Sequence, residues 1–223
     1  MSVYQVKNNT IVVGESEYHI CSLKDRQEFD DVDGLAELAG ISSATWALFG
    51  VVWPSSMMLA DIIDTQAMQG LKVLEMGCGL GLASLVAAKH GADITASDYH
   101  PLAQHFLDNN STSNQLALIP FACSDWAKPN LLLGKFDLLI GSDLLYEPNH
   151  PELLSEFIDF HASSNVTVII IDPDRRQQKQ FSQKMLALGF TCVSEKIDTP
   201  RAIALNYKGK KLTYTRQTFI GAV

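Results

Sequence analysis

Paired cysteines, long apolar runs and positive charge are all scarce in this chain. Its four cysteines, Cys21, Cys78, Cys123 and Cys192, lie far apart and form no C-x-x-C pair. Neither a disulfide framework nor a cysteine-ligated zinc site is signalled, and reduced thiols in a cytoplasmic protein are expected. The histidines (His19, His90, His100, His105, His150 and His161) are scattered without zinc-ligand spacing, so no metal is expected. Lysine and arginine number 17 against 25 aspartates and glutamates, a formal net charge of −8. Such a surface repels phosphate backbones, and nucleic acid is not an expected partner. Met1 to Lys7 lacks the apolar core of a secretory signal. Leu38 to Ala60 carries no charge, but Gly40, Gly50, Pro54 and several serines and threonines interrupt it. It reads as a buried or ligand-facing segment rather than a membrane span.

What is present suits one α/β domain with extra N-terminal structure: 223 residues, 47% of them hydrophobic, are enough for a core without covalent staples. No repeat, low-complexity tract or long linker is visible. Thr10–Val13 and Tyr18–Cys21 read as strands turned at Gly14. Pro54 suits the first turn of a helix that places Met58, Leu59, Ile62 and Ile63 on one face. From Leu71 strands and helices alternate. Strands are expected at Leu71–Glu75, Asp93–Ser97, Leu116–Ala122, Phe136–Gly141 and Val166–Ile171. Helices are expected at Leu82–His90, Pro101–Asn110, through Leu153 to His161, and at Gln177–Leu188, with Gly91 and Gly189 as stops. Phe190–Ile197 and Lys211–Ile220 read as two last strands joined by a turn near Lys208 and Gly209, with no helix between them. The alternation predicts a parallel sheet of seven strands covered on both faces, with an antiparallel hairpin at one edge. Ligand is expected at the carboxyl ends of the strands.

Those strand ends carry the chemistry. Glu75-Met76-Gly77-Cys78-Gly79-Leu80-Gly81 runs from the first strand of the alternation into a helix. Glycines here permit positive φ and a close approach of ligand to backbone, and a helix start offers N–H groups to an anion such as a carboxylate. Glu75 at the strand tip suits a cationic ligand group. A nicotinamide-binding loop would space its glycines G-x-G-x-x-G, but here Leu82 stands where the third would be. Asp98, 21 residues after Gly77, ends the next strand, where a carboxylate can accept from ribose hydroxyls or cap a helix. After the third strand, Ser124-Asp125-Trp126 offers an acceptor for an adenine amino group and a ring to cover it. After the fourth, Ser142-Asp143-Leu144-Leu145-Tyr146-Glu147 places Asp143 and Tyr146 beside the reacting centre, because that strand should adjoin the first. Asp172-Pro173-Asp174-Arg175, after the fifth strand, lies on the same rim, either shaping a substrate pocket or capping the next helix.

In combination these motifs resemble the class I, seven-strand S-adenosylmethionine-dependent methyltransferases over roughly residues 50–220. Asp143-Leu144-Leu145-Tyr146 is similar to the D-x-x-Y signature of the lysine-methyltransferase-like branch, family 16. Trp53-Pro54-Ser55-Ser56 resembles that branch's cofactor-bordering segment. The resemblance implies a Rossmann-like three-layer sandwich, with an N-terminal extension over residues 1–50 and a methyltransferase domain over 51–223. It implies S-adenosyl-L-methionine as cofactor, held by Trp53, Glu75, Gly77, Gly79, Gly81, Asp98, Asp125, Trp126 and Ser142. Asp143 and Tyr146 then serve catalysis. There is no Pro-Pro after the fourth strand, as base and glutamine-amide methyltransferases have, and no paired-glutamate hairpin of the arginine-methyltransferase kind. The implied activity is N-methylation, of a protein lysine first and of a small amine or nitrogen heterocycle as the alternative. A nicotinamide-dependent oxidoreductase and a non-catalytic nucleoside-binding module are the readings from other classes.

Overall fold

The computed structural model describes residues 4–128 and 130–217. In chain order the elements are β1 (Val6–Val13), β2 (Ser16–Leu23), a one-turn helix α1 (Leu35–Leu38), a 3-10 turn over Trp46–Gly50, α2 (Pro54–Thr65), β3 (Lys72–Met76), α3 (Leu82–Lys89), β4 (Asp93–Asp98), α4 (Ala103–Ser113), β5 (Phe121–Cys123), β6 (Phe136–Ser142), α5 (His150–His161), β7 (Ala162–Asp172), α6 (Gln178–Ala187), β8 (Thr191–Lys196), α7 (Pro200–Ala204) and β9 (Lys210–Gln217). Seven strands form one sheet in the order β5-β4-β3-β6-β7-β9-β8. β5 to β7 pair in parallel, and β9 runs antiparallel to both neighbours.

Strand alternation sorts side chains onto the two faces. Val73, Leu138, Ile140, Ile169 and Ile171 join a core under α2, α3, α4 and the β1–β2 hairpin. Leu74, Met76, Leu139, Val168 and Ile170 join the opposite core, under α5 and α6. Both faces are therefore covered, which is why β7 reads as an almost unbroken Val/Ile run. The three-layer architecture is the expected one. Gly91 ends α3 in a left-handed conformation, φ 75°, and its neighbour Ala92 donates back to Ala87 O at 3.1 Å. Gly189, φ 84°, ends α6 the same way, with Phe190 N on Met185 O at 3.1 Å.

Three expectations need correcting. Pairing of the third strand of the alternation is confined to Phe121–Cys123, at the sheet edge. Pro120 has no N–H to donate to a ladder, though its carbonyl accepts from Ala96 N at 2.9 Å. The helix expected over Pro101–Asn110 begins at Ala103 and continues to Ser113. A helix does separate the last two strands: Thr199 caps α7, accepting from Ala202 N at 3.2 Å, and Pro200 opens it. β9 is described as far as Gln217, and Thr218 to Ile220 of the expected strand lie outside the described residues. Trp46–Thr65 is long and apolar enough to cross a membrane by length and composition. Here it is two elements, the 3-10 turn and α2, separated by Val51 and Trp53 in extended conformation.

The N-terminal hairpin is docked by two amides. Asn110 of α4 and Asn114, the residue that caps its C-terminus, accept from Cys21 N and His19 N, each at 2.8 Å, and Asn114 Nδ2 donates to His19 O at 2.8 Å. The outer edge of β2 is thus paired by side chains instead of another strand. Asn110 Nδ2 also donates to Leu80 O at 3.1 Å, which ties the hairpin to the glycine loop.

Candidate active site

The loop after β3 needs its glycines for both conformation and space. Gly77, Gly79 and Gly81 have φ of 60°, 53° and 75°. A β-carbon at Gly77 would stand 2.7 Å from Leu144 Cδ2, one at Gly79 2.7 Å from Phe49 O, and one at Gly81 2.3 Å from Leu107 Cδ1. All three positions are strained or closed to any side chain. Cys78 N donates to Ser97 O at 2.9 Å, which pins the loop to β4.

Two acids shape this loop from within. Glu75 is only 3% exposed and accepts from Ser84 N at 2.9 Å and from the Ser84 hydroxyl. Ser84 lies in the first turn of α3, whose N-cap residue, Gly81, has no side chain to offer. Glu75 therefore supplies the missing cap. Burial pushes its pKa up to about 7, against the Ser84 hydrogen bonds, which pull it down. Asp98 Oδ2 accepts from Gly79 N at 2.8 Å and its Oδ1 from His100 N at 2.9 Å. Burial raises its pKa, with the backbone hydrogen bonds opposing. Both acids stand where the sequence places them, and each already answers an amide of the loop or of the helix start.

The next strand end adds Ser124, Asp125 and Trp126. Ser124 is buried, and its Oγ has no partner among the described residues. Asp125 turns back on its own loop, accepting from Ala127 N at 2.9 Å and pairing with Lys128 at 3.1 Å. Trp126 is half-buried, its ring centroid 5.3 Å from that of His150, and its Cζ2 would lie 3.8 Å from a β-carbon at Gly77. The set fits an adenosyl amino acid: a glycine cradle, carboxylates at two strand tips, and an unsatisfied hydroxyl with an aromatic ring at a third.

β6 lies beside β3, pairing Met76 with Gly141, so Ser142 and Asp143 emerge next to the glycine loop. Asp143 adopts φ 55°, unusual for a residue with a β-carbon, and its N–H is held by Ile171 O at 2.8 Å. Its Oδ1 receives both Nε and Nη2 of Arg175, each at 2.7 Å. Tyr146 is 42% exposed and packs edge-on against His150 with ring centroids 4.5 Å apart. His150 Nδ1 in turn donates to Leu144 O at 2.6 Å. Desolvation, then the charges of Asp98, Glu147 and Asp143, push the Tyr146 pKa up to about 12, so its hydroxyl stays protonated.

Asp143 opens into a cleft of about 480 Å³ lined also by Trp53, Ser55, Arg175 and Tyr207, with Arg26 at its edge. The Arg26 guanidinium sits 4.6 Å from the centroid of the Trp53 ring, whose Nε1 donates to Leu48 O at 2.8 Å. Tyr207 bonds Ser55 across the cleft at 2.9 Å. It is carried there by α7, which is held to α2 by Arg201 on both oxygens of Asp61. Sequence reasoning missed Tyr207 and Arg26 altogether. It noted the Asp172–Arg175 loop without foreseeing that Arg175 would grip Asp143. For Tyr207 the usable signal was Thr199-Pro200, the start of the helix that positions it. Among the described residues no group of three or more metal-ligating side chains comes together.

A sequence model of the family described as lysine methyltransferase matches residues 41–187, about two thirds of the chain. This protein belongs to the lysine methyltransferase family. Protein N-lysine methyltransferase METTL21A of Xenopus tropicalis is 31% identical over 66% of this chain and 72% of its own length. Histone-arginine methyltransferase METTL23 of Rattus norvegicus is 32% identical over 52% of this chain and 55% of its own length. Among solved structures, magnesium protoporphyrin IX methyltransferase of Synechocystis superposes with a TM-score of 0.59 at 18% identity, over 74% of this chain and 80% of that one, which establishes likeness of fold. This lysine methyltransferase family member is therefore a class I enzyme of methyl transfer with S-adenosylmethionine as donor.

Proposed function

We propose that this protein methylates the side-chain nitrogen of a lysine in a protein substrate, working in the cytoplasm without nucleic acid or membrane. The observation that carries the reading is the cleft at the tip of β6. Its walls are Trp53 and Tyr207, and a carboxylate, Asp143, stands where an amine can be oriented. A flexible aliphatic stem ending in nitrogen suits aromatic walls with one acceptor at the end. The four free cysteines agree with a reducing compartment.

In this reading Glu75 receives the ammonium of the cofactor's amino-acid part, and Asp98 receives the ribose hydroxyls. Asp125 and Trp126 border the adenine. Gly77, Gly79 and Gly81 keep the backbone bare enough for contact, and Trp53 and Ser142 border the donor from the acceptor side. When bound, S-adenosylmethionine supplies an activated methyl group on a sulfonium. The chain has to exclude water, align the nitrogen and receive it uncharged, because an ammonium has no lone pair to give. Asp143 accepts an N–H of the amine and orients it. Tyr146, protonated and half-exposed, contributes a wall and a second polar contact.

The test is incubation of the protein with methyl-tritiated S-adenosylmethionine and a soluble cell extract, followed by electrophoresis and amino-acid hydrolysis. Methyl-lysine in one or a few protein bands is the expected result. Label confined to small molecules would replace the reading by small-amine methylation, and methyl-arginine in protein would replace lysine by arginine.

A further inference from the structure

Among the described residues, Arg175 is the one cation that touches Asp143. Both Nε and Nη2 converge on Oδ1 at 2.7 Å, and no hydrogen bond from a described residue reaches Oδ2. The backbone that carries the arginine is anchored. Its own N–H donates to Asp172 Oδ1 at 2.6 Å, and Asp172 is fully buried at the end of β7. The preceding residue, Asp174, is in a left-handed conformation with φ 66° and is paired to Lys210 of β9 at 2.7 Å. The guanidinium is therefore built into the wall of the acceptor cleft, beside the carboxylate that meets the amine.

This placement bears on a conflict in the chemistry of the site. A carboxylate orients an amine well, but an uncompensated carboxylate also holds a lysine in its ammonium form, from which no methyl transfer can start. We propose that Arg175 resolves this conflict: it cancels the charge of Asp143 while leaving Oδ2 as an acceptor, so that the acceptor lysine sits in the cleft as a neutral amine. The inference rests on the lysine reading above and adds a positioning residue to it. Arg175 acts through Asp143 and need not touch the substrate.

The surrounding charges leave this work to Arg175. From β7, Asp172 adds negative charge, with one oxygen unpartnered among the described residues. On the loop of Asp143 itself stand Glu147 and the protonated Tyr146. From the α7–β9 connection comes Tyr207, whose pKa burial pushes up to about 12, so it is neutral. Arg26 lies against Trp53 at the cleft edge, and Lys210 is occupied by Asp174. Without Arg175, Asp143 would face the incoming amine with no cation beside it and with the buried carboxyl of Asp172 behind it.

The experiment compares the wild-type enzyme with Arg175→Gln and Arg175→Lys. The acceptor is the extract protein that the wild type labels most strongly, purified unmethylated and used from limiting to saturating concentration, so that kcat and KM separate. For a rise of one pKa unit in the bound amine, R175Q loses up to about 10-fold in kcat near neutral pH, with KM unchanged or lower. The deficit closes by about pH 10, near the free lysine pKa. R175K keeps the charge, so its kcat ratio to wild type stays flat across pH. A deficit in R175Q of the same size at every pH would mean a merely structural role and overturn the proposal, as would no deficit at all. If R175Q does not fold, Arg175→Met, which also removes the charge, is read against the wild type by the same criteria: a loss that closes by about pH 10 supports the proposal, and a loss of constant size or no loss overturns it. Should the wild type label no protein, the lysine reading itself fails and this inference falls with it; an active wild type with pH-independent ratios in both variants sinks the inference only.

Discussion

Replacing Glu75 by glutamine separates its role as helix cap from its proposed role as ligand partner. Glu75 is 3% exposed, and burial raises its pKa from 4.5 to about 7. A carboxyl that holds its proton more tightly folded than unfolded takes up protons on folding. The stability it confers is therefore complete below about pH 4.5 and declines as pH rises towards 7, above which the loss is constant. At about 1.4 kcal/mol per unit, the ionised carboxylate costs the folded state about 3 kcal/mol relative to the protonated one. Glutamine keeps the shape and an oxygen that can accept from Ser84, but it has no charge to desolvate. The stability of E75Q minus that of wild type should therefore grow by about 3 kcal/mol between about pH 4 and pH 8 and then level off. Urea unfolding of the cofactor-free proteins across that range measures it. Two stability curves a constant distance apart would refute the burial argument. The ligand role has its own readout. An ammonium held by Glu75 favours the ionised form, so wild-type affinity for S-adenosylmethionine should weaken as pH falls below about 7. In E75Q the affinity should be low and independent of pH. Equal affinities for the two proteins by calorimetry at pH 8 would remove Glu75 from the cofactor's partners.

Asp143→Ala should leave cofactor affinity unchanged and lower kcat by about 100-fold, the scale for a misplaced nucleophile; turnover near the wild-type rate would take Asp143 out of the site. In Gly79→Ala the new β-carbon meets Phe49 O at 2.7 Å with φ at 53°. The expected outcome is a destabilisation of about 1–3 kcal/mol and loss of measurable S-adenosylmethionine binding, read by unfolding and calorimetry. Asn110→Ala leaves Cys21 N and Leu80 O without their partner. Stability should fall by about 2–4 kcal/mol, and the Cys21 amide should exchange faster with solvent; a change below about 0.5 kcal/mol would show that the hairpin needs no such tie.

The sequence by itself determined the layered α/β plan, the glycine loop and the order of the acidic strand ends. These are written in local signals: an apolar run for a strand buried on both faces, a helical period, and a glycine where the chain turns left-handed, as at Gly91 and Gly189. Asp98, Asp125 and Asp143 are legible for the same reason, since each stands at the end of a strand or within two residues of it. Helix α7 was also written locally, in Thr199-Pro200, and was overlooked because Lys208-Gly209 reads as a turn. Only the tertiary structure decided which side chains meet. Arg175 reaches Asp143 across 32 residues because β7 pairs with β6, and Tyr207 reaches Ser55 across 152 because α7 docks on α2. The use of Glu75 as the cap of α3 likewise depends on where the helix start comes to lie over β3. Such contacts follow from the packing of whole elements, and residues so far apart carry no periodic or nearest-neighbour trace of one another along the chain.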